Sequence, residues 1–430
     1  MTFDITIEKI IPGGKGLGFH EGQSVFVPLS APGDQIRVTS HRDRKSYLEA
    51  VGIQILSAAP CRQEPPCIYF GSCGGCDLQH LEIRRQLEAK KGILVDALKR
   101  IGRIHYPQSE IGLIPSPPWN YRNRVQIKIS SRANRYAWGF YRGSSHQIVS
   151  LENCLITLPT LWNFLSRLMK RLEDERAFAD GWSGIEIFQG DAEQFLVSFH
   201  LKADHNSVES LGLQVQEWGL VQTFPGSSFC CSPERGQSVL MAGPGFVSKT
   251  VGGLTYQVGP ESFFQTNDFM LNSLRSRATG CRFGSVALDL YCGVGFFSLA
   301  LAKTFDRVLA VEANPAACRD FQGNLEVNQI ANCQLFQQDA SAFIQDHGSQ
   351  LRDLDLILLD PPRTGLPIKA VAAIAELEAP EVVYVSCDPA TLSRDLRILL
   401  KYQYEITSLE LMDLFPQTHH LETVAKLHKL

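Results

Sequence analysis

No uninterrupted apolar run in this 430-residue chain approaches the ~20 residues that a membrane-crossing helix needs. The opening stretch, MTFDITIEKI, carries acids where a secretory leader needs a basic start and an apolar segment, so the expected address is the cytoplasm. There is no internal repeat and no low-complexity tract. Charge of either sign is not in excess: 41 Lys and Arg stand against 45 Asp and Glu, a net charge of −4, which by itself names no partner. Hydrophobic residues make up 44% and charged residues 20%, a balance that excludes a mostly disordered chain. Two phosphate-binding signatures are missing as well. No Gly-Lys-Ser/Thr loop occurs, and the full dinucleotide fingerprint fails because Ser298 stands three places after Gly295.

Acids are also absent locally. Residues 111–151 contain no Asp or Glu, yet carry Arg122, Arg124, Lys128, Arg132, Arg135 and Arg142, interleaved with Trp119, Tyr121, Tyr136, Trp138, Phe140 and Tyr141. A basic stripe with aromatic faces suits a polyanion that presents flat bases. A twisted strand pair with a solvated basic face reads equally well from this stretch. Of the 12 cysteines, Cys230, Cys231, Cys281, Cys292, Cys318 and Cys333 are scattered and read as small core residues. Cys61, Cys67, Cys73 and Cys76 are clustered, and Cys154 stands alone. Disulfides are not expected in a reducing compartment.

The patterning divides the chain in three. Residues 1–58 alternate short apolar runs with the turn signals PGGKGLG and APGD, which predicts a small closed β-barrel. Residues 59–258 mix strand-like runs such as RVQIKIS and QFLVSFHL with helical stretches, an α+β middle domain. Within it, 78–103 has helical periodicity with Leu81, Leu87, Leu94 and Leu98 near one face, and this helix is a candidate to pack on the following domain. From 259 to 430, apolar strands alternate with helices, which predicts a doubly wound parallel sheet of Rossmann type, with a terminal hairpin.

Chemistry concentrates at the carboxyl ends of those strands. Asp289 to Gly295, DLYCGVG, follows a strand and opens a helix, so Gly293 and Gly295 let a ligand approach the backbone. Glu312 ends the next strand, where an acid accepts hydrogen bonds from ribose hydroxyls. A ribose-bearing ligand without a pyrophosphate fits, and S-adenosylmethionine is one, with Asp339 in reach of its adenine. Asp360-Pro361-Pro362-Arg363 ends the fourth strand; the Arg, where amino-group methylases carry an aromatic, argues against nitrogen methylation. Cys387 ends the fifth strand, where a thiol faces substrate. His419, His420 and Glu422 precede the last strand, and each is able to remove a proton.

Taken in order, CIYFGSCGGCDLQH, LENCLI, PESFFQTN, DLYCGVGFFSL, VEAN, LDPPRTG, VSCDPATLSRDL and FPQTHHLETV resemble the S-adenosylmethionine-dependent RNA 5-methyluridine methyltransferases over nearly the whole chain. The N-terminal barrel resembles the TRAM domain of that family's iron–sulfur, ribosomal-RNA branch. The resemblance implies a class I methyltransferase domain and transfer of methyl to carbon 5 of a uridine, in 23S rRNA, with transfer RNA as the alternative. Cys387 matches the nucleophile and Glu422 the general base. Gln265, Tyr291, Gly293, Glu312 and Asp360 match cofactor-binding positions, with Asp339 added. Cys67, Cys73, Cys76 and Cys154 match the ligands of a 4Fe-4S cluster, for which four thiolates are the normal complement. Cys61 is an extra thiol able to compete, and tetrahedral zinc also accepts four thiolates. Phe263 and Asp360 are expected at the uracil, and Arg122, Arg124 and Arg132 on the RNA. Neither a membrane nor an obligate protein partner is expected. An RNA cytosine-5 methyltransferase and a non-catalytic RNA-binding protein are the competing readings.

Overall fold

The computed structural model describes residues 2–132, 135–174, 182–201, 215–234, 237–280, 282–351 and 353–430; the side chains of residues 131, 132, 135 and 136 are not described. Among these residues no helix is long and apolar enough to cross a membrane.

The N-terminal strands form one six-stranded sheet. Phe3–Thr6 lies on one edge and Lys9–Ile10 on the other, with two residues between them, so the sheet must roll until its edges nearly meet. Phe3, Ile5, Ile7, Val25, Val27, Ile36 and Val38 fill the inside. The middle of the chain forms a seven-stranded sheet that includes Arg124–Arg132, Trp182–Gln189 and Phe195–Leu201. Helix Pro159–Asp174 lays Leu161, Phe164, Leu165, Leu168 and Leu172 against it, an apolar face at helical spacing.

The third sheet has eight strands: β1 (Gly112–Ile114), β2 (Gly284–Leu290), β3 (Phe305–Glu312), β4 (Cys333–Gln337), β5 (Leu356–Leu359), β6 (Glu381–Ser386), β7 (Tyr404–Met412) and β8 (Glu422–Lys429). Their order is β4-β3-β2-β5-β6-β8-β7-β1. Strands β2 to β6 are parallel and β8 runs against both its neighbours. Ile357, Leu358 and Leu359 of β5 and Val382 to Val385 of β6 are all buried, as expected of strands covered on both faces. Sequence order reverses between β2 and β5, which opens a crevice beyond their carboxyl ends. The methyltransferase-like sheet and its terminal hairpin match expectation. Strand β1 does not: it comes from the stretch read as part of the middle domain, yet it pairs with β7.

The helix expected over 78–103 is shorter, Ile83–Ala97, and continues into a wider turn at Leu98–Gly102. It packs Ile93, Leu94 and Leu98 into the core of the eight-stranded sheet, while Leu87 is only partly buried. Two polar residues share the buried face. Gln86 donates to Leu81 O and Gln417 Oε1, both at 2.9 Å, and accepts from Gln417 N at 3.0 Å. Lys90 is fully buried; its ammonium donates to Asp413 Oδ1 at 2.5 Å and to Phe415 O at 2.9 Å. Burial pushes the lysine pKa down, and the Asp413 carboxylate opposes that shift.

Lys90→Ala should leave Asp413 buried without its counter-charge and lower folding stability by about 3–5 kcal/mol, whereas the paired change Lys90→Met with Asp413→Leu should cost far less. Denaturant titration of the three proteins checks both statements.

Candidate active site and cysteine cavity

Three of the parallel strands of the third sheet, β3, β4 and β6, lead into a helix with a side-chain cap. Asn314 caps helix Pro315–Val327, Asp339 caps Ala340–His347, and Asp388 caps Pro389–Lys401. Asp388 Oδ1 accepts from Ala390 N at 2.9 Å and Thr391 N at 2.8 Å, with Pro389 at the first helical position. This fixes the backbone on which Cys387 sits.

Between β2 and its helix the chain turns sharply. Tyr291 has φ +65°, a left-handed conformation uncommon for a non-glycine residue and often found at functional sites. At Gly295 an added Cβ would meet the Phe321 ring at 2.2 Å, so glycine is required there. At Gly293 (φ +55°) a Cβ would meet nothing within 4 Å: its backbone faces open space. Glu312 reaches across from β3, accepting from Gly293 N at 2.9 Å and Asn314 N at 2.7 Å. Asp339 is exposed and uses one oxygen to cap its helix. Gln265 is buried and Phe263 is 65% exposed. Asp289, fully buried, accepts from Ser298 Oγ while its other oxygen has no partner; burial pushes its carboxyl up to about 7.

Strand β8 brings the base candidate to the thiol. The antiparallel register ends at the pair Ser386–Thr423, so Cys387 and Glu422 are the next residues on the two chains, near enough for the carboxylate to act on the thiol. Glu422 is buried, and burial together with the nearby Asp360 drives its pKa well above the carboxylate range, against the pull of Arg363. Burial takes Asp360 up to about 7. Burial raises the Cys387 thiol to about 11, and Glu422 adds to the rise while Arg363 opposes it through charge and a hydrogen bond to the sulfur. A pocket of about 140 Å³ opens onto Cys387, walled by Arg363, His419 and His420, with Ile93 and, from the N-terminal sheet, Pro12. Burial lowers His420 to about 4, so its ring is neutral near pH 7.

A second cavity, of about 280 Å³, is lined by Cys67, Cys73, Cys76 and Cys154, with Arg122, Gln79 and Thr157. Burial raises Cys76 to about 12; Gln79 opposes the rise by donating to it, and the other three thiols add to it. Gln79 Oε1 and Thr157 Oγ1 are buried without partners. Cys61 stands apart, in a groove beside Pro32 and Arg85, donating to Pro32 O at 3.4 Å. Among the described residues no three Cys, His, Asp or Glu side chains converge closely enough to hold a single metal ion.

The structure thus gathers Cys387, Glu422 and Asp360 in one place, and the four cysteines in another. The described members of the arginine stripe have different surroundings. Arg122 lines the cysteine cavity; Arg124 bonds Glu186 and the carbonyls of Ser262 and Pro260; the Arg132 side chain lies outside the described residues. Tyr121 is buried, its hydroxyl donating to Pro416 O at 2.9 Å. The place of Arg363 beside the thiol was missed in the sequence, where it served only as a departure from another enzyme class. Its position three residues after the strand-end acid was the available signal.

A family model described as tRNA (uracil-5-)-methyltransferase matches residues 82–430. A relative from Aquifex aeolicus, described as an uncharacterized RNA methyltransferase, is 33% identical and covers 98% of this chain and 97% of its own. One from Halalkalibacterium halodurans with a similar description is 29% identical, covering 99% and 96%. Among solved structures, the Pyrococcus abyssi tRNA (uracil-54, C5)-methyltransferase in complex with S-adenosyl-L-homocysteine superposes with a TM-score of 0.74 at 26% identity, over 99% of this chain and 100% of that one.

Only a thiolate is alkylated, so the raised pKa of Cys387 implies that its reaction with iodoacetamide should accelerate about tenfold per pH unit between about pH 8 and pH 10. Arg363→Ala removes the cation opposing the rise and should slow the reaction throughout that window. Peptide-resolved mass spectrometry of the alkylated Cys387 reads both.

Proposed function

The chain belongs to the tRNA (uracil-5-)-methyltransferase family, and is an S-adenosylmethionine-dependent RNA methyltransferase; on that footing we propose that it methylates carbon 5 of one uridine through a transient bond between Cys387 and the pyrimidine. The observation carrying this reading is the nearness of Cys387 and Glu422 at the adjoining ends of β6 and β8, with Asp360 and Arg363 beside them.

Carbon 5 of uracil is too weak a nucleophile to attack a sulfonium methyl unaided. The Cys387 thiolate adds at carbon 6, which forms the S–C bond and moves an electron pair onto carbon 5 as an enolate. Arg363 steadies the thiolate before the addition. Carbon 5 then forms its bond to the methyl group as the methyl–sulfonium bond breaks, the electron pair of that bond staying on the departing thioether sulfur. Glu422 removes the proton from carbon 5, and the electrons of that C–H bond re-form the ring double bond as the S–C bond breaks. The cofactor, when bound, supplies the methyl group and a positive charge that favours the ionised forms of Asp360 and Cys387. Gln265, Tyr291, Gly293, Glu312, Asp339 and Asp360 would hold it, the open face of Gly293 and the Glu312 carboxylate being the features that fit a ribose. Phe263, exposed beside the crevice, would pack on a base that has left its stack.

The cysteine cavity fits a 4Fe-4S cluster. Each thiolate of such a cluster binds its own iron, so four sulfurs around a cavity suit it better than they suit one zinc ion. Thr157, whose hydroxyl is buried without a partner at its wall, is able to donate to a cluster sulfide, and Gln79 already donates to the Cys76 sulfur. Its role there is structural. The four cysteines and the rolled N-terminal sheet favour 23S rRNA as substrate; the full-length likeness to the Pyrococcus transfer-RNA enzyme favours transfer RNA as the second reading.

Cys387→Ala should bind RNA and form no methylated product, and Glu422→Gln should accumulate a protein–RNA adduct that survives denaturing electrophoresis. Mapping 5-methyluridine in ribosomal and transfer RNA after deleting and restoring the gene identifies the substrate; 5-methylcytidine in its place would overturn the reading. Protein purified without oxygen should contain iron and acid-labile sulfide, both lost in Cys154→Ser.

A further inference from the structure

The segment that leaves the cysteine cavity grips the loop that delivers Glu422. Asp77 follows Cys76 directly. Its backbone N–H and that of Leu78 both donate to the Gln417 carbonyl, each at 3.0 Å. Its side chain then accepts, on Oδ2, the backbone N–H of His419 at 3.1 Å and the ring Nδ1–H at 2.6 Å. A carboxylate only accepts, which places the ring proton on Nδ1. His419 and His420, whose ring centroids are 4.2 Å apart, wall the Cys387 pocket, and Glu422 follows two residues later.

The two sides of the reaction centre are therefore held by different means. Cys387 is fixed by β6 and by the Asp388 cap, whereas among the described residues the hydrogen bonds of Asp77 run to Gln417 and His419. Glu422 is the first residue of β8 and pairs with Met412 of β7: strand pairing fixes its backbone and the chain after it, and the turn of residues 417–421 sets the approach of the chain before it. That turn includes Gln417 in a left-handed conformation, φ +69°, which its bonds to Asp77, Leu78 and Gln86 hold in place. Among the described residues, the hydrogen bonds that anchor His419 both run to Asp77.

We infer that Asp77 is a positioning residue for proton removal: by holding His419 and Gln417 it sets the turn from which Glu422 faces the substrate carbon. The inference rests on the assignment of Glu422 as the base. Loss of the Asp77 carboxylate displaces the base without displacing the nucleophile. Thiol addition and methyl transfer continue, release slows, and the enzyme stalls while bonded to its RNA. The same contact ties the cysteine segment to the catalytic loop, so the cavity and the reaction centre share one turn of chain.

The test uses the full-length protein with S-adenosylmethionine and total RNA from cells lacking the gene. Asp77→Ala should lower kcat about 100-fold, the loss expected from a misplacement near 1 Å, with KM for RNA little changed. The stalled protein–RNA adduct should accumulate as it does in Glu422→Gln. Asp77→Asn keeps an acceptor oxygen in place and should restore most of the turnover, which a role in bulk charge would not allow. Gly14→Ala is the second variant: its new methyl would meet the Asp77 Cβ at 2.6 Å, pushing the carboxylate without removing it. It should also accumulate adduct, and it decides the matter if Asp77→Ala does not fold. Wild-type turnover in Asp77→Ala, or slow turnover without adduct while Glu422→Gln accumulates it, overturns the role of Asp77 and leaves the base assignment standing. Absence of adduct in Glu422→Gln overturns both.

Discussion

A fully buried ammonium group fixes the course of the catalytic loop. Lys90 has no water to solvate it, and a charge removed from water is tolerated only when its partners are close and well aimed. Those partners, Asp413 and the Phe415 carbonyl, lie at the start of the loop that ends in Glu422. The helix Ile83–Ala97 and the loop therefore cannot shift independently. Gln86, one turn earlier, adds a two-way bond to Gln417. The contacts from Asp77, Leu78 and Tyr121 act on the same few residues. A loop without regular structure is thus held by polar groups from several other parts of the chain, and the chemistry depends on where they hold it.

The pocket itself is rich in protons before substrate arrives. Burial raises Cys387, Asp360 and Glu422 together, because each ionised form would stand in poorly solvated space beside another acid. Arg363 is a cation that Cys387 and Glu422 share. A thiol kept protonated in the free protein is protected from stray electrophiles. Its activation is then tied to the arrival of positive charge and of a ring able to receive its electrons, which couples reactivity to occupancy.

Local patterning revealed the strand ends but not their distant partners. The acids at 289, 312 and 360 and the thiol at 387 were legible because parallel strands are continuous apolar runs, and the residue that breaks each run faces the crevice. The four cysteines were legible from spacing and resemblance. The buried face of Ile83–Ala97 was not. Gln86 and Lys90 lie eight and four residues before Leu94, on its face, but are polar, and nothing near them in sequence says that Asp413 and Gln417 wait beyond three hundred residues of chain. The basic stripe shows charges without their partners, for the converse reason. Arg124 sits in a stretch free of acids, but its partner Glu186 comes from the neighbouring strand Trp182–Gln189. Strand β1 escaped notice because three residues, Gly112 to Ile114, are too few to show alternation.

The place of β8 in the sheet has a bearing on biosynthesis. It is the latest of the strands to be translated, yet it occupies an interior lane between β6 and β7. Until it emerges, a nascent chain presents two open edges, both prone to pair with whatever extended peptide is near. The same late strand carries Glu422, the carboxylate we propose as the base that lets the product go. Completion of the sheet and competence to turn over therefore coincide in time, and a chain cut short before Glu422 would be both sticky and inert.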